Sequence, residues 1–244
     1  MLVHNSRVRT NQLVKLRHTI KWLLSPVMLR IRGGPLEGKK WKASSGIRFI
    51  KGTYEPKKAE AIQQTVRAND IVYDIGAHVG YFSVLMSDIV GCGGHVIAFE
   101  PRKLNRGYLE KHVAVNRCDN IQVMSKAVGD HTGPAKLETR TGTGTGFISD
   151  AGDESVEITS IDELVESGAL PAPNYLKSDV EGGEMAVLRG ARKVVEKQRP
   201  RMIIETHGDK LDAECRKLLT EWGYEMRDIP CKEGYKEFVV MPIT

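Results

Sequence analysis

The chain has 244 residues, 41% of them hydrophobic and 27% charged, the balance of one globular domain with an appendage. No apolar run approaches the roughly 20 residues that cross a bilayer, which disfavours a spanning segment; WLLSPVML is short, is interrupted by Pro26 and lacks a signal-peptide cleavage site. The net charge of +5 conceals an asymmetry, because residues 1–58 hold fourteen Lys or Arg against two acids (+12) and the remainder holds 22 against 29 (−7).

In chain order, Thr10 or Asn11 caps a predicted helix to about Leu24, with Leu13, Leu16, Ile20, Leu23 and Val27 on one stripe and Lys15, Arg17 and Lys21 off it. Such a basic amphipathic segment suits either packing on the main domain or contact with a membrane surface. GGPLEGKKWKASSGIRFIKG reads as turns and short strands. From Pro56 the pattern alternates: helix Lys58 to Arg67, strand IVYDI, helix GYFSVLMSDIV, strand HVIAFE, helix Leu104 to Asn116 and strand IQVMS. AKLETR reads as a strand, TGTGTG as a flexible loop and VEITSIDELV as a strand entering a short helix. Strands YLKSDV, RMIIET, GYEMRDI and EFVVM follow, with helices Glu184 to Lys197 and Asp209 to Trp222 between them. Alternation of this kind predicts a doubly wound, mostly parallel α/β sheet. The stretch PCKEGYKE is too short for a crossover helix, so the last two strands are expected to form an antiparallel hairpin. Cys92, Cys118, Cys215 and Cys231 form no C-x-x-C pair, as suits reduced thiols in a cytosolic protein.

The stretch VYDIGAHVGYFSVL places Asp74, Gly76 and Gly80 at a strand-to-helix corner. A corner of this kind lets backbone approach a ligand, with a helix N-terminus behind it. The run is D-x-G-x-x-x-G and lacks the second glycine of the dinucleotide fingerprint, which disfavours a dehydrogenase. An open loop suits an amino-acid moiety, its carboxylate near backbone N–H groups and Asp74 on the ammonium side; helix capping is the alternative for Asp74. Glu100 ends the next strand, 20 residues after Gly80, where its carboxylate suits both hydroxyls of a ribose.

GTYEP, VYDIGAHVGYFS, VIAFEPRKLN, SKAVGD, SIDEL, YLKSDVEGGEMAVLRGA and IIETH appear in this order between about Gly52 and His207. The set resembles the FkbM family of S-adenosylmethionine-dependent methyltransferases, and K-x-D-x-E-G-x-E is its most specific piece. The resemblance implies the class I methyltransferase fold, a Rossmann-like seven-stranded sheet with an antiparallel last strand. A basic arm over residues 1–50 would precede a methyltransferase domain over 51–244. It implies S-adenosylmethionine as cofactor and an oxygen on a small molecule or glycan as acceptor. By position, Asp74, Gly76, Ala77 and Gly80 would line the methionine end of the cofactor, Glu100 would hold the ribose, and Ala127 would sit at the adenine edge. Tyr54 and Glu55 would fold over the cofactor, or form a turn before the first domain helix. Lys177, Asp179, Glu181 and Glu184 match the residues beside the transferable methyl. His78 stands where the family often has asparagine, a neutral hydrogen-bonding substitute.

Read from the residues alone, Asp179 ends a strand next to the first and so reaches the mouth of the same crevice. Lys177 alternates with it, faces the same side and suits a partner for the acids. Glu184 opens a helix, a favourable place for a carboxylate by about 0.3–1 kcal/mol. His207 ends IIETH, and an imidazole with a pKa of roughly 6.5 suits removal of a proton from an attacking alcohol; capping of the following helix is the alternative. Asp179, Glu181 and His207 have donor types that suit a divalent ion, but their spacing establishes no site and no metal is assigned. TGTGTG lacks the lysine and the strand-to-helix setting of a phosphate loop.

The expectation is therefore a cytoplasmic methyltransferase acting on a hydroxyl of a glycan or small metabolite. The basic arm would lie near an anionic acceptor or the surface of a membrane, with plain solvation of its charge as the alternative. An RNA methyltransferase is a second reading, against which the arm lacks the aromatic pattern of an RNA-reading module. A non-catalytic nucleotide-binding protein of the same fold is a third.

Overall fold

A parallel sheet covered by helices on both faces needs strands that are apolar on both sides. IVYDI and the MII centre of RMIIET are largely apolar, and with the more polar YLKS they form the middle of a seven-stranded sheet in the computed structural model, which describes residues 27–140, 146–231 and 235–243. The expected helix from Thr10 and most of TGTGTG lie outside the described residues. The chain divides into two units, Met1–Tyr54 and Glu55–Thr244.

In the first unit, β1 (Met28–Arg30) pairs antiparallel with β2 (Lys40–Lys42). A 3-10 turn, Ala43–Ser45, leads to α1 (Ile47–Lys51). This short helix corrects the reading of GIRFIKG as turns and strands. It closes at Gly52, whose left-handed backbone carries the chain past Gly33 so tightly that a Cβ would lie 1.9 Å from the Gly33 carbonyl oxygen.

The second unit begins with α2 (Pro56–Thr65), β3 (Ile71–Ile75), α3 (Tyr81–Val90), β4 (His95–Phe99), α4 (Lys103–Asn116) and β5 (Ile121–Met124). Four strands then build a separate small sheet, ordered β6 (Lys126–Val128), β9 (Glu154–Thr159), β7 (Gly133–Glu138) and β8 (Phe147–Ile148). The chain returns through α5 (Ile161–Glu166) and β10 (Tyr175–Ser178) to α6 (Glu184–Gly190), α7 (Arg192–Gln198) and β11 (Arg201–Thr206). It ends with α8 (Asp209–Glu221), β12 (Tyr224–Ile229) and β13 (Lys236–Pro242).

The large sheet is ordered β12-β13-β11-β10-β3-β4-β5. Strands β11, β10, β3, β4 and β5 run parallel, and β13 is antiparallel to both of its neighbours. The expected hairpin and the expected antiparallel last strand are both present. Successive strands move outward from β3 on one side and then resume with β10 on the other. The crevice of such a sheet opens at the strand C-termini on either side of that reversal.

One helix differs from expectation. Glu184 to Lys197 is two helices, broken at Ala191 (φ −112°, ψ 5°). Two contacts explain the break. Gly190 lies so close to the Gly129 carbonyl that a Cβ would come within 1.9 Å of it. Beyond the break, the Asp162 carboxylate accepts from the N–H groups of Lys193 and Val194 at 3.0 and 2.9 Å, capping α7 from another helix.

β11 is buried along its whole length although it is polar at both ends. At its start, Arg201 donates to both oxygens of Asp70 at 2.7 and 2.9 Å, and both residues are buried. Removing one partner of a buried pair strands the other charge, at a cost of about 3–5 kcal/mol. Asp70→Ala should therefore lower unfolding stability by about that amount in a urea titration; a loss under about 1 kcal/mol would show the pair to be solvated like a surface one.

Candidate active site

β3 carries Asp74 to the C-terminal edge of the sheet, and the chain then turns through Gly76, His78 and Gly80 into α3. All three have left-handed backbone, with φ of 76°, 52° and 88°. Gly76 is also held by close approach, since a Cβ would lie 1.9 Å from the carbonyl oxygen of Asp179. The N–H groups of Gly76 and Ala77 both donate to the Phe99 carbonyl, at 3.1 and 3.0 Å, and Gly80 N–H donates to the Ala77 carbonyl at 2.8 Å. These three amides are satisfied within the protein, so the corner offers a ligand close backbone approach rather than three free donors.

Glu100 follows β4 and is tied to that corner. Its Oε2 accepts from His78 N–H at 2.8 Å and its Oε1 from Arg102 N–H at 2.9 Å. Burial outweighs these bonds and pushes its carboxyl up to about 7. Asn105 Nδ2 also donates to Oε1, weakly at 3.5 Å, while Oε2 keeps a second lone pair for a hydroxyl. Burial also lowers the pKa of the His78 imidazole, which favours its neutral form.

Register creates the next pair. Lys177 of β10 lies opposite Asp74 of β3, and its Nζ stands 2.9 Å from Asp74 Oδ1 and 3.2 Å from the Gly76 carbonyl. Ser83 Oγ donates to the other Asp74 oxygen at 2.5 Å. Asp74 is thus fully buried with both oxygens engaged. Both oxygens face protein partners at the back of the corner, a consequence of the β3–β10 register. Lys177 is the partner of the acids, with Asp179 Oδ2 at 3.9 Å.

Sequence reasoning missed Lys58. This residue of α2 is 2% exposed, and its Nζ meets Glu55 at 2.9 Å, Asp179 at 3.2 Å, Glu237 at 3.0 Å and Glu205 in a short contact. The Phe82 ring lies 5.4 Å from Lys58 Nζ and 5.7 Å from Lys177 Nζ, its face toward two buried cations. Burial opposes both lysine charges, but the carboxylates outweigh it and raise both groups above the usual lysine value. Burial likewise opposes ionisation of Asp179, yet Lys58 and Lys177 hold it well below the usual carboxylate range. Glu205 moves the other way, pushed up by burial and by Asp179. Glu55, left-handed at φ 39°, belongs to this cluster through Lys58.

His207 follows β11. Its Nδ1 is 2.6 Å from Glu184 Oε1, which also accepts from Gly182 N–H at 3.1 Å. Its Nε2 is 3.4 Å from Glu181 Oε2 and 3.6 Å from Glu205 Oε1. Burial disfavours the imidazolium, but Glu184, Glu181 and Asp179 outweigh it and raise His207 to about 9. The ring therefore sits among carboxylates and does not cap α8, whose cap residue Gly208 has no side chain. Glu181 is left-handed at φ 35°, and burial raises its carboxyl.

Glu55, Lys177, Asp179, Glu181 and His207 are thus brought into one ionic cluster. Gly76, Ala77, Gly80 and Glu100 form the neighbouring corner, while Ala127 lies in β6, paired with Ile158 of the small sheet. Two donor sets among the described residues are close enough to hold a metal. They are Asp179 with Glu205 and His207, and Glu55 with Glu205 and Glu237. The Lys58 ammonium already fills the second set. Glu205 was findable, being two residues before His207 and therefore on the same side of the strand. Lys58 and Glu237 carried no local signal.

Residues 74–226 match the methyltransferase FkbM domain. The hexuronic acid methyltransferase AglP of Haloferax volcanii is 27% identical over 177 residues, 72% of this chain and 71% of that protein. The crystal structure of methyltransferase FkbM from Methylobacillus flagellatus superposes with a TM-score of 0.52 at 17% identity, covering 81% of this chain. The chain spans 53% of that relative, about half its length. Aeropyrum pernix fibrillarin in complex with natively bound S-adenosyl-L-methionine gives a TM-score of 0.50 at 17% identity, over 75% of this chain and 73% of that one. The structural likenesses speak to the fold, while the matched domain covers more than half of the chain and contains the glycine corner, Glu100, the K-x-D-x-E-G-x-E run and His207. This chain belongs to the FkbM family of S-adenosylmethionine-dependent methyltransferases.

Proposed function

We propose that this methyltransferase acts on a hydroxyl of a glycan or related small molecule. The observation that carries the reading is the half-buried cluster of Asp179, Glu181 and His207 at the strand ends, where Asp179 abuts Gly76 of the glycine corner. The likeness to a hexuronic acid methyltransferase supports a sugar acceptor. S-adenosylmethionine, when bound, supplies a methyl group on a positively charged sulfur.

The residues of the chain have divided roles in this reading. Gly76, Ala77 and Gly80 shape the place for the methionine end, and Asp74 supports it from behind through Lys177. Glu100 accepts from the ribose hydroxyls, Ala127 bounds the adenine edge, and Glu55 closes the cluster beside Lys58. Asp179, Glu181 and His207 orient the acceptor hydroxyl and handle the proton it loses as its oxygen attacks. Alignment of acceptor and methyl can supply on the order of 7–11 kcal/mol of the barrier reduction. The basic arm, +10 over residues 1–50 (eleven Lys or Arg against Glu37), draws the enzyme to an anionic acceptor or membrane surface. No helix among the described residues is long and apolar enough to cross a membrane, and the contact proposed is peripheral.

Three outcomes test this reading. Glu100→Ala should weaken S-adenosylmethionine binding by about 1.5–3 kcal/mol without loss of folding. Because Glu100 is raised to about 7, its carboxylate is lost as pH falls through that value, so affinity should be full above about pH 8 and decline up to about tenfold per unit below 7. Calorimetry across that range checks both, and a flat profile with normal affinity in the variant would remove Glu100 from the ribose.

For the chemistry, Asp179→Asn and His207→Ala should cut turnover by roughly 10²–10⁴ while cofactor affinity changes little. Normal single-turnover rates in a folded His207→Ala protein would reassign His207 to structure. For the arm, replacing Lys15, Arg17 and Lys21 with Gln should weaken binding to anionic vesicles by about 1 kcal/mol per charge, an effect that shrinks with added salt. Equal vesicle and acceptor binding by both proteins would leave the arm as solvated charge.

A further inference from the structure

We propose that Asp179, Glu205 and His207 form a binding site for one divalent cation of the manganese or magnesium kind, placed to hold the acceptor oxygen. One donor atom from each lies within 4.8 Å of the others, and His207 Nε2 stands 3.6 Å from Glu205 Oε1. An octahedral ion with bonds of about 2.1 Å keeps its donors roughly 3–4 Å apart, so a small inward movement completes the set.

Each ligand is also held from behind. Glu184, itself 1% exposed, fixes His207 Nδ1 at 2.6 Å, and His207 Nε2 is buried and makes no hydrogen bond. A carboxylate that orients a histidine through its far nitrogen is the usual support for a metal-binding imidazole. Lys58 takes Oδ2 of Asp179 and Oε2 of Glu205, one oxygen from each. The ammonium thus steadies both carboxylates while leaving each a second oxygen.

Charge points the same way. The ionic network joins seven carboxylates (Asp74, Asp179, Glu55, Glu181, Glu184, Glu205 and Glu237) to two lysines, Lys58 and Lys177. With His207 counted as well, seven carboxyl groups face three basic groups, so acids outnumber bases in the network. Carboxyl groups in such excess, four of them buried (Asp74, Glu184, Glu205 and Glu237), favour a further cation. Two carboxylates and one imidazole, with no thiolate, suit manganese or magnesium, and three protein ligands leave positions for water and the acceptor.

The role at the acceptor rests on the function proposed above, whereas binding of the ion does not. An acceptor hydroxyl bound to the ion becomes more acidic. Its proton passes to Glu181, which is 33% exposed and able to release it to water. The oxygen forms its bond to the methyl carbon as the carbon–sulfur bond breaks, and the electron pair stays on sulfur in S-adenosylhomocysteine.

The full chain, stripped with EDTA and titrated with Mn²⁺ under electron paramagnetic resonance, should bind one equivalent that excess Mg²⁺ displaces. Glu205→Gln and His207→Ala should each weaken Mn²⁺ at least about tenfold, and Glu184→Gln by about 10- to 100-fold through His207. Retained binding of S-adenosylhomocysteine would show that each variant is folded. Absence of saturable Mn²⁺ binding, or binding that Glu205→Gln and His207→Ala leave unchanged, overturns the site. Methyl transfer that persists in EDTA would overturn the role of the ion and leave the glycan reading standing. Mn²⁺ binding that the variants abolish, without methyl transfer to any sugar hydroxyl, would uphold the site and sink the acceptor reading.

Discussion

The contact of Lys58 with four carboxylates holds the catalytic edge of the sheet together. Glu55, Asp179, Glu205 and Glu237 come from the residue before α2, the loop after β10, β11 and β13, and they meet on one buried ammonium. A unit-charge pair at about 3 Å is worth roughly 5 kcal/mol at an effective dielectric near 20, before desolvation is deducted. The deduction is large, so the net gain in stability is modest. The larger consequence is specificity: a one-residue slip of β11 would turn Glu205 away from Lys58, and a slip of β10 would turn Lys177 away from Asp74. Arg201 with Asp70 pins the opposite end of β11 in the same way. A wholly buried strand thus keeps its register through the polar residues at its two ends.

The same dependence on distant partners explains what the sequence discloses. Central strands are legible because burial on both faces demands unbroken apolar runs, and Glu100 is legible because its place depends on a nearby strand and turn. The hairpin of β12 and β13 is legible from the short polar stretch between them. Lys58 was not, because its partners Asp179 and Glu205 lie 121 and 147 residues away and meet it only through the strand order. The partner of Asp74 was hidden for a related reason: only the register with β10 sets Lys177 beside it. The break between α6 and α7 depends on Asp162, 31 residues before Lys193, and a periodicity within the helix cannot report it.

Two electrostatic environments stand side by side at this sheet edge. Around Glu100 the partners are backbone N–H groups and the neutral Asn105 amide, and burial alone lifts its carboxyl. Around Asp179 the partners are ammonium groups, and the carboxyl is driven down. A ribose diol is uncharged and suits the first environment. The second favours cations and uncharged hydroxyls over an anionic group.

That second environment also bears on reactivity. Methyl transfer begins with positive charge on sulfur and ends with a neutral thioether, so negative charge nearby stabilises the ground state more than the transition state. Only interactions that strengthen toward the transition state accelerate the step. In the reading proposed above, an excess of carboxyl groups near the methyl would therefore slow the chemistry. A divalent ion on Asp179, Glu205 and His207 removes much of that penalty, because it neutralises the excess and gives the acceptor oxygen a positive charge that stabilises it as its proton leaves. Lys58 and Lys177 alone leave the balance negative, and the cluster is best matched to its reaction when a further cation is bound.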